Sequence, residues 1–132
     1  MTILPLTLTL RATGDAAVGE VWDRYRRLDR WTEWAPQIRE VRADTKILAE
    51  GIRGDVVGPL GATVHFLVLA VDEHRREWEW RVWRGPVRVT LHHTVSQLPT
   101  GSATSLRIRA FAPVVLGYAP IAQWALNRLT KA

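Results

Sequence analysis

Between Arg109 and Arg128 the chain runs for eighteen residues without a charge, AFAPVVLGYAPIAQWALN. A stretch of about that length can nearly cross a bilayer, so it decides first between a membrane anchor and a buried helix. Its residues decide for the helix. Pro113 and Pro120 each remove a backbone donor, Gly117 lowers helix propensity, and Gln123 is polar. From Tyr118 onward the apolar residues Tyr118, Ile121, Ala122, Ala125 and Leu129 recur at helical spacing, with Gln123, Asn127, Arg128 and Lys131 outside the stripe. Trp124 and Leu126 fall off its centre and widen the apolar surface. Ala110 and Phe111 finish a strand, Pro113 turns the chain away, and a closing helix is expected from about Val114. Pro120 should kink or restart it. Such a helix needs a sheet to lie on.

The rest of the chain supplies that sheet. Leu4, Leu6, Leu8 and Leu10 alternate with Pro5, Thr7, Thr9 and Arg11, the period of a strand with one buried face. Thr13-Gly14-Asp15 stops it, and Val18, Val21, Trp22, Tyr25 and Leu28 mark an amphipathic helix over 16–28. Arg30 to Trp34 is a short second helix closed by Pro36. Strand patterns follow over 38–49, 53–57, 62–71, 77–84, 87–98 and 104–111, separated by Gly, Pro and Asp turns. Trp78, Trp80 and Val82 share one face, as do Val87, Val89, Leu91, His93 and Val95. The order is strand, two helices, six strands, helix. Hairpin-length links make the sheet mostly antiparallel, and the last helix is the element sized to cover its apolar face.

At 132 residues this is one domain with a real core. The absence of cysteine excludes disulfides, thiol nucleophiles and thiolate metal sites, and fits a reducing cytoplasm. The N-terminus has no charged region before its apolar residues and alternates too regularly for a signal peptide. A net charge of +5 permits nucleic-acid or acidic-membrane binding. The cations are dispersed, however. Their densest group, Arg24, Arg26, Arg27 and Arg30, is interleaved with Asp23 and Asp29, which favours a solvated surface over a nucleic-acid site.

This order, with VWDRYRRLDRWTEWAPQIREV at 21–41, resembles the helix-grip superfamily of START lipid-transfer domains and pollen-allergen-like proteins. It is most similar to the polyketide cyclase/dehydrase branch, in which a Trp-rich helix-turn precedes a Trp-x-Pro step and a strand. Trp22, Asp29, Trp31, Trp34 and Pro36 fit that pattern, and TSLRIRAFAPVVLGYAPIAQWALNRL at 104–129 is similar to its final strand and helix. The resemblance covers essentially the whole chain. It implies an α+β helix-grip fold, a curved antiparallel sheet wrapped around a long C-terminal helix, with a deep apolar cavity between them. It does not choose among carriers, receptors and cyclases, since one fold serves many functions.

The expected ligand is a small, apolar, aromatic or polycyclic molecule, lined by Leu8, His65, Trp78, Trp80, Leu91, Ile121 and Trp124. The alternative is a cyclase, aromatase or dehydratase using His93 and Tyr118 as its acid and base. The plainer reading of His93 is a core histidine bonded to a neighbour. His65 points inward if the turn after its strand is Glu73 to Arg76, with Val71 facing Trp78. Trp83 and Trp124 mark the cavity mouth or a dimer contact, leaving a monomer or homodimer open. Trp22 and Trp31 are expected to lock the first helices onto the sheet. Neither HxH nor HExxH occurs, so no metal or other cofactor is called for.

Overall fold

The computed structural model describes residues 5–132, so Leu4 of the first alternating run lies outside them. Strand β1 (Pro5–Gly14) leads into α1 (Val18–Arg26), a single 3-10 turn (Leu28–Arg30) and the one-turn α2 (Trp31–Trp34). Six strands follow: β2 (Glu40–Ala43), β3 (Arg53–Val57), β4 (Thr63–Asp72), β5 (Glu77–Arg84), β6 (Val87–Gln97) and β7 (Ser102–Phe111). Helix α3 (Ala112–Leu129) closes the chain. The strands form one antiparallel sheet in the order β1-β7-β6-β5-β4-β3-β2. The first strand therefore pairs with the last, and α3 lies over both. This is the expected order and the α+β helix-grip arrangement.

Four expectations change. The strand expected over 38–49 is paired only at Glu40–Ala43. Beyond it the backbone turns to the end of α1, where Leu28 N–H donates to Lys46 O at 2.9 Å and Leu48 N–H to Arg26 O at 2.8 Å. The sheet loses length and the helices gain a backbone tether. Helix α3 starts at Ala112 instead of near Val114, because Pro113 falls in the first turn, where a missing N–H breaks no intrahelical bond. The helix then runs in one piece through Pro120. Its buried face comprises Val115, Ala122, Ala125, Leu126 and Leu129. Leu126 therefore belongs to the core, while Ile121, about a quarter turn from the centre of that face, is exposed.

The charges of α1 and α2 neutralise one another. Arg30 reaches Glu20 at 2.8 Å, Asp23 at 2.9 Å and Glu33 at 3.2 Å, while Arg27 meets Asp23 and Arg26 meets Glu73. Arg24 donates to Leu129 O and Lys131 O, occupying carbonyls at the C-terminal end of α3 with a cation, the sign the helix dipole favours there. The densest basic group of the sequence thus holds helices together.

The sheet and α3 meet tightly at one corner. Ala16 N–H donates to Thr130 O at 3.0 Å and Ser102 Oγ donates to Ala16 O at 2.8 Å. A Cβ on Gly14 would stand 2.1 Å from Thr130 O, and Gly101, at φ +80°, packs its backbone against Gly14. Gly19, by contrast, lies inside α1 with open space around it. Gly14→Ala is expected to lower stability by about 2–3 kcal/mol, and Gly19→Ala to raise it by about 0.5–1 kcal/mol through helix propensity. Urea midpoints of the two variants check both signs; a neutral Gly14→Ala contradicts the close packing of this corner.

Candidate ligand cavity

The inner face of the sheet carries an aromatic cluster. Trp78 stacks on His93 with ring centroids 4.5 Å apart and planes 9° from parallel, and on Trp31 at 5.6 Å and 29°. Tyr25 meets Trp34, Trp78 and His93 edge-on. Alternation along β5 and β6 puts Trp78, Trp80, Leu91 and His93 on this face, and α1 and α2 deliver Tyr25, Trp31 and Trp34 to it. The indole donors are mostly taken. Trp31 Nε1–H donates to Tyr25 O at 2.8 Å and Trp34 Nε1–H to Arg24 O at 3.0 Å.

Trp80 Nε1–H donates to His93 Nε2 at 2.9 Å. An indole can only donate, so Nε2 is the acceptor and the neutral imidazole carries its proton on Nδ1. Nδ1–H then donates to Tyr25 OH at 2.9 Å, Tyr25 OH to Thr104 Oγ1 at 3.2 Å, and Thr104 Oγ1 to Thr94 O at 2.8 Å. Every donor in the chain has one acceptor, and the direction is set by the indole at its head. Both ring nitrogens of His93 are engaged. Burial, with His92 adding to it, pushes the His93 pKa down to about 3. Burial likewise holds the Tyr25 phenol well above its ordinary value.

Beside this cluster lies a cavity of about 360 Å³, bounded by strands β3 to β7, the segment from Trp31 to Ile38, and α3. Of the expected lining residues, Trp78, Trp80 and Leu91 line it, as do His93 and Tyr118. Trp31 does too, so its role extends beyond locking a helix. Trp83, Pro59 and Gly58 also border it. The remaining expectations fail on geometry. Leu8 is half-buried on β1, against which α3 packs, and does not line this cavity. Ile121 and Trp124 are 42% and 57% exposed on the outer side of α3.

His65 is on the opposite face of the sheet. The turn and the Val71–Trp78 pairing are as expected, but a bulge between Val68 and Ala70 inserts one residue and reverses the alternation beyond it. Phe66 and Val68 therefore point inward, and His65 pairs with Asp55 at 2.6 Å beside Trp83. Gln37 was missed as a site residue. It follows the Trp-x-Pro step and lines the cavity, where its Nε2–H donates to Tyr118 OH at 3.0 Å. Burial raises the Tyr118 phenol above its ordinary pKa, with the Gln37 bond acting against that rise. Tyr25 is wholly buried in the cluster and its phenol is committed to His93 and Thr104.

The family described as polyketide cyclase / dehydrase and lipid transport matches residues 5–132. Among solved structures, hypothetical protein jhp0584 from Helicobacter pylori is similar at a TM-score of 0.76 and 16% identity, covering 98% of this chain and 87% of that one. Ara h 8.0201 is similar at a TM-score of 0.76 and 12% identity, covering 96% and 95%. Likeness at such identities speaks for the fold alone. No curated protein matches the sequence.

The state of His93 has a consequence for stability. Its folded pKa of about 3 lies below the ordinary 6.5, so between these values the unfolded chain binds the extra proton. Stability is fully present above about pH 6.5 and falls with pH at about 1.4 kcal/mol per unit from this group. Between pH 7 and pH 5 the wild type is expected to lose about 2 kcal/mol more than His93→Gln, measured from urea midpoints. Equal pH dependence in the two proteins contradicts a buried neutral imidazole.

Proposed function

We propose a function from one premise: this chain belongs to the polyketide cyclase / dehydrase and lipid transport family. Its cavity binds a small hydrophobic molecule with a flat aromatic or polycyclic body. The observation that carries this reading is the partly open cavity of about 360 Å³ walled by indoles and aliphatic side chains. Ligand cavities of roughly 300–1,000 Å³ with apolar walls and a few polar groups are the common form of small-molecule sites. A cavity of ~150 Å³ takes up benzene, which scales this one to about two or three fused rings. Trp80 and the half-buried Trp83 border the space, and indole rings are surfaces on which such a body packs.

Binding is favoured over cyclase or dehydratase chemistry by the state of the two catalytic candidates. A general base needs a free lone pair near its working pH, and His93 has its lone pair on the Trp80 indole and its pKa at about 3. Tyr118, with its phenol raised by burial, stays protonated and can give a hydrogen bond but does not readily take a proton. The equipment suits holding a molecule.

Titration with naphthalene, fluorene and anthraquinone, followed by tryptophan emission, is expected to give saturable quenching. Ala122 lines the cavity from α3 and is 2% exposed. Ala122→Phe should fill the space and weaken binding by about tenfold or more, with an unchanged far-UV circular dichroism spectrum. Absence of saturable quenching by any of the three compounds overturns the reading.

A further inference from the structure

Arg24, Arg26, Arg27 and Arg30 are paired with acids. A different set of arginines, dispersed along the sequence, is collected by strand register on the outer face of the sheet, turned away from the cavity and α3. Arg81 on β5 faces Thr90 on β6, Thr90 faces Arg109 on β7, and Arg109 faces Thr7 on β1. In the next row His92, Arg107 and Thr9 stand side by side, while Arg11 and Arg88 extend the group at opposite ends. All five arginines are exposed, and none makes an ion pair among the described residues. The acids at outward positions of these four strands are Glu77 and Glu79, both on β5, and Glu79 meets His92 at 3.2 Å. Neighbours in a row are about 5 Å apart, and same-face neighbours along a strand about 7 Å. The guanidinium groups therefore form one patch of like charge, which an anion relieves.

We propose that the outer face of β5, β6, β7 and β1 docks single-stranded RNA. Its rows set guanidinium groups beside the hydroxyls of Thr7, Thr9 and Thr90. A guanidinium fork suits phosphate oxygens, and a threonine hydroxyl, donor and acceptor in one, suits a ribose 2′-OH. Aromatic surface lies at the Arg88 end. Phe111 follows Arg109 on β7 and is 47% exposed, and Trp83 pairs with Arg88, its ring 5.8 Å from the outward His65. Such rings give bases a surface to stack on. A duplex does not receive this face in a groove. Four strands span roughly 14 Å, wider than the ~12 Å major groove of DNA, and the major groove of an RNA helix is narrower still. An acidic bilayer fits less well, because the exposed Leu116, Ile121 and Trp124, side chains able to insert, are on α3 across the sheet. Contacts to phosphate and ribose carry no base information, so binding is expected to tolerate many sequences.

Fluorescence anisotropy tests this with labelled oligouridylate and oligothymidylate of about 20 nucleotides and an RNA duplex of the same length. Phosphatidylserine vesicles are titrated in parallel by sedimentation. The wild type is expected to bind oligouridylate about threefold more tightly than oligothymidylate and about tenfold more tightly than the duplex, with affinity falling as salt rises. Arg107→Gln/Arg109→Gln should weaken oligouridylate binding about tenfold or more and flatten the slope of log affinity against log salt by about 1.4. Phe111→Ala should cost about fivefold with the slope unchanged. Arg39→Gln/Arg53→Gln removes the same charge from exposed positions at the β2–β3 end of the sheet and should change the affinity less than about twofold. All variants are expected to keep the wild-type far-UV circular dichroism spectrum. Three results overturn the docking surface: no salt-dependent binding of oligouridylate, equal losses in the two double variants, or binding to the vesicles alone. Equal affinity for oligouridylate and oligothymidylate overturns the assignment to RNA.

Discussion

The indole of Trp80, which can only donate, sets the direction of the hydrogen-bond chain that ties this fold together. From that one bond follow the tautomer of His93, the acceptor role of the Tyr25 oxygen and the donation by Thr104 into the backbone of β6. The chain links β5, β6 and β7 to α1 through buried atoms, each of which would be costly without its partner. It also accounts for a histidine and a tyrosine deep among tryptophans. Both have their polar side-chain atoms bonded within that chain.

Around that chain the aromatic side chains perform two tasks. Tyr25, Trp31 and Trp34 fill the space between the first helices and the sheet, and Trp31 and Trp78 also form a wall of the cavity. An indole or phenyl ring removes roughly 150–250 Å² from water, a large contribution for a domain of this size. At β1 and β7 the helix lies close, pinned at Gly14 and Thr130, whereas over β5 and β6 a cavity remains. The paired charges of α1 and α2 sit outside this core and individually contribute little, as exposed ion pairs do. Their position matters more, since Arg24 and Arg30 join α1 to the end of α3 and to α2.

Much of the site was legible in the sequence because strand alternation is local. Trp78, Trp80, Leu91 and His93 follow from a period of two over β5 and β6, which pair without irregularity. His65 shows where such reasoning stops. Its orientation depends on a single extra residue at the Val68/Ala70 bulge, and a bulge reflects how two strands meet as much as the sequence of either. Ile121 fails for a related reason. The apolar residues of α3 cover more of its surface than the sheet can bury, so the choice of Leu126 over Ile121 lies with the partner surface. Gln37 carries no pattern at all; only the meeting of the segment after Pro36 with α3 brings it to Tyr118.

The sequence by itself determined the order of elements, the antiparallel pairing and the placing of the uncharged C-terminal stretch as a helix on the sheet. These depend on periodicity, turn residues and the cost of exposing apolar surface, which act between near neighbours in the chain. Only the tertiary structure decided that His93 is saturated, that Gln37 and Trp78 keep unpartnered atoms, and that His65 lies outside. Those outcomes depend on which atoms from distant segments come within about 3 Å of one another, a property of packing that no local pattern encodes.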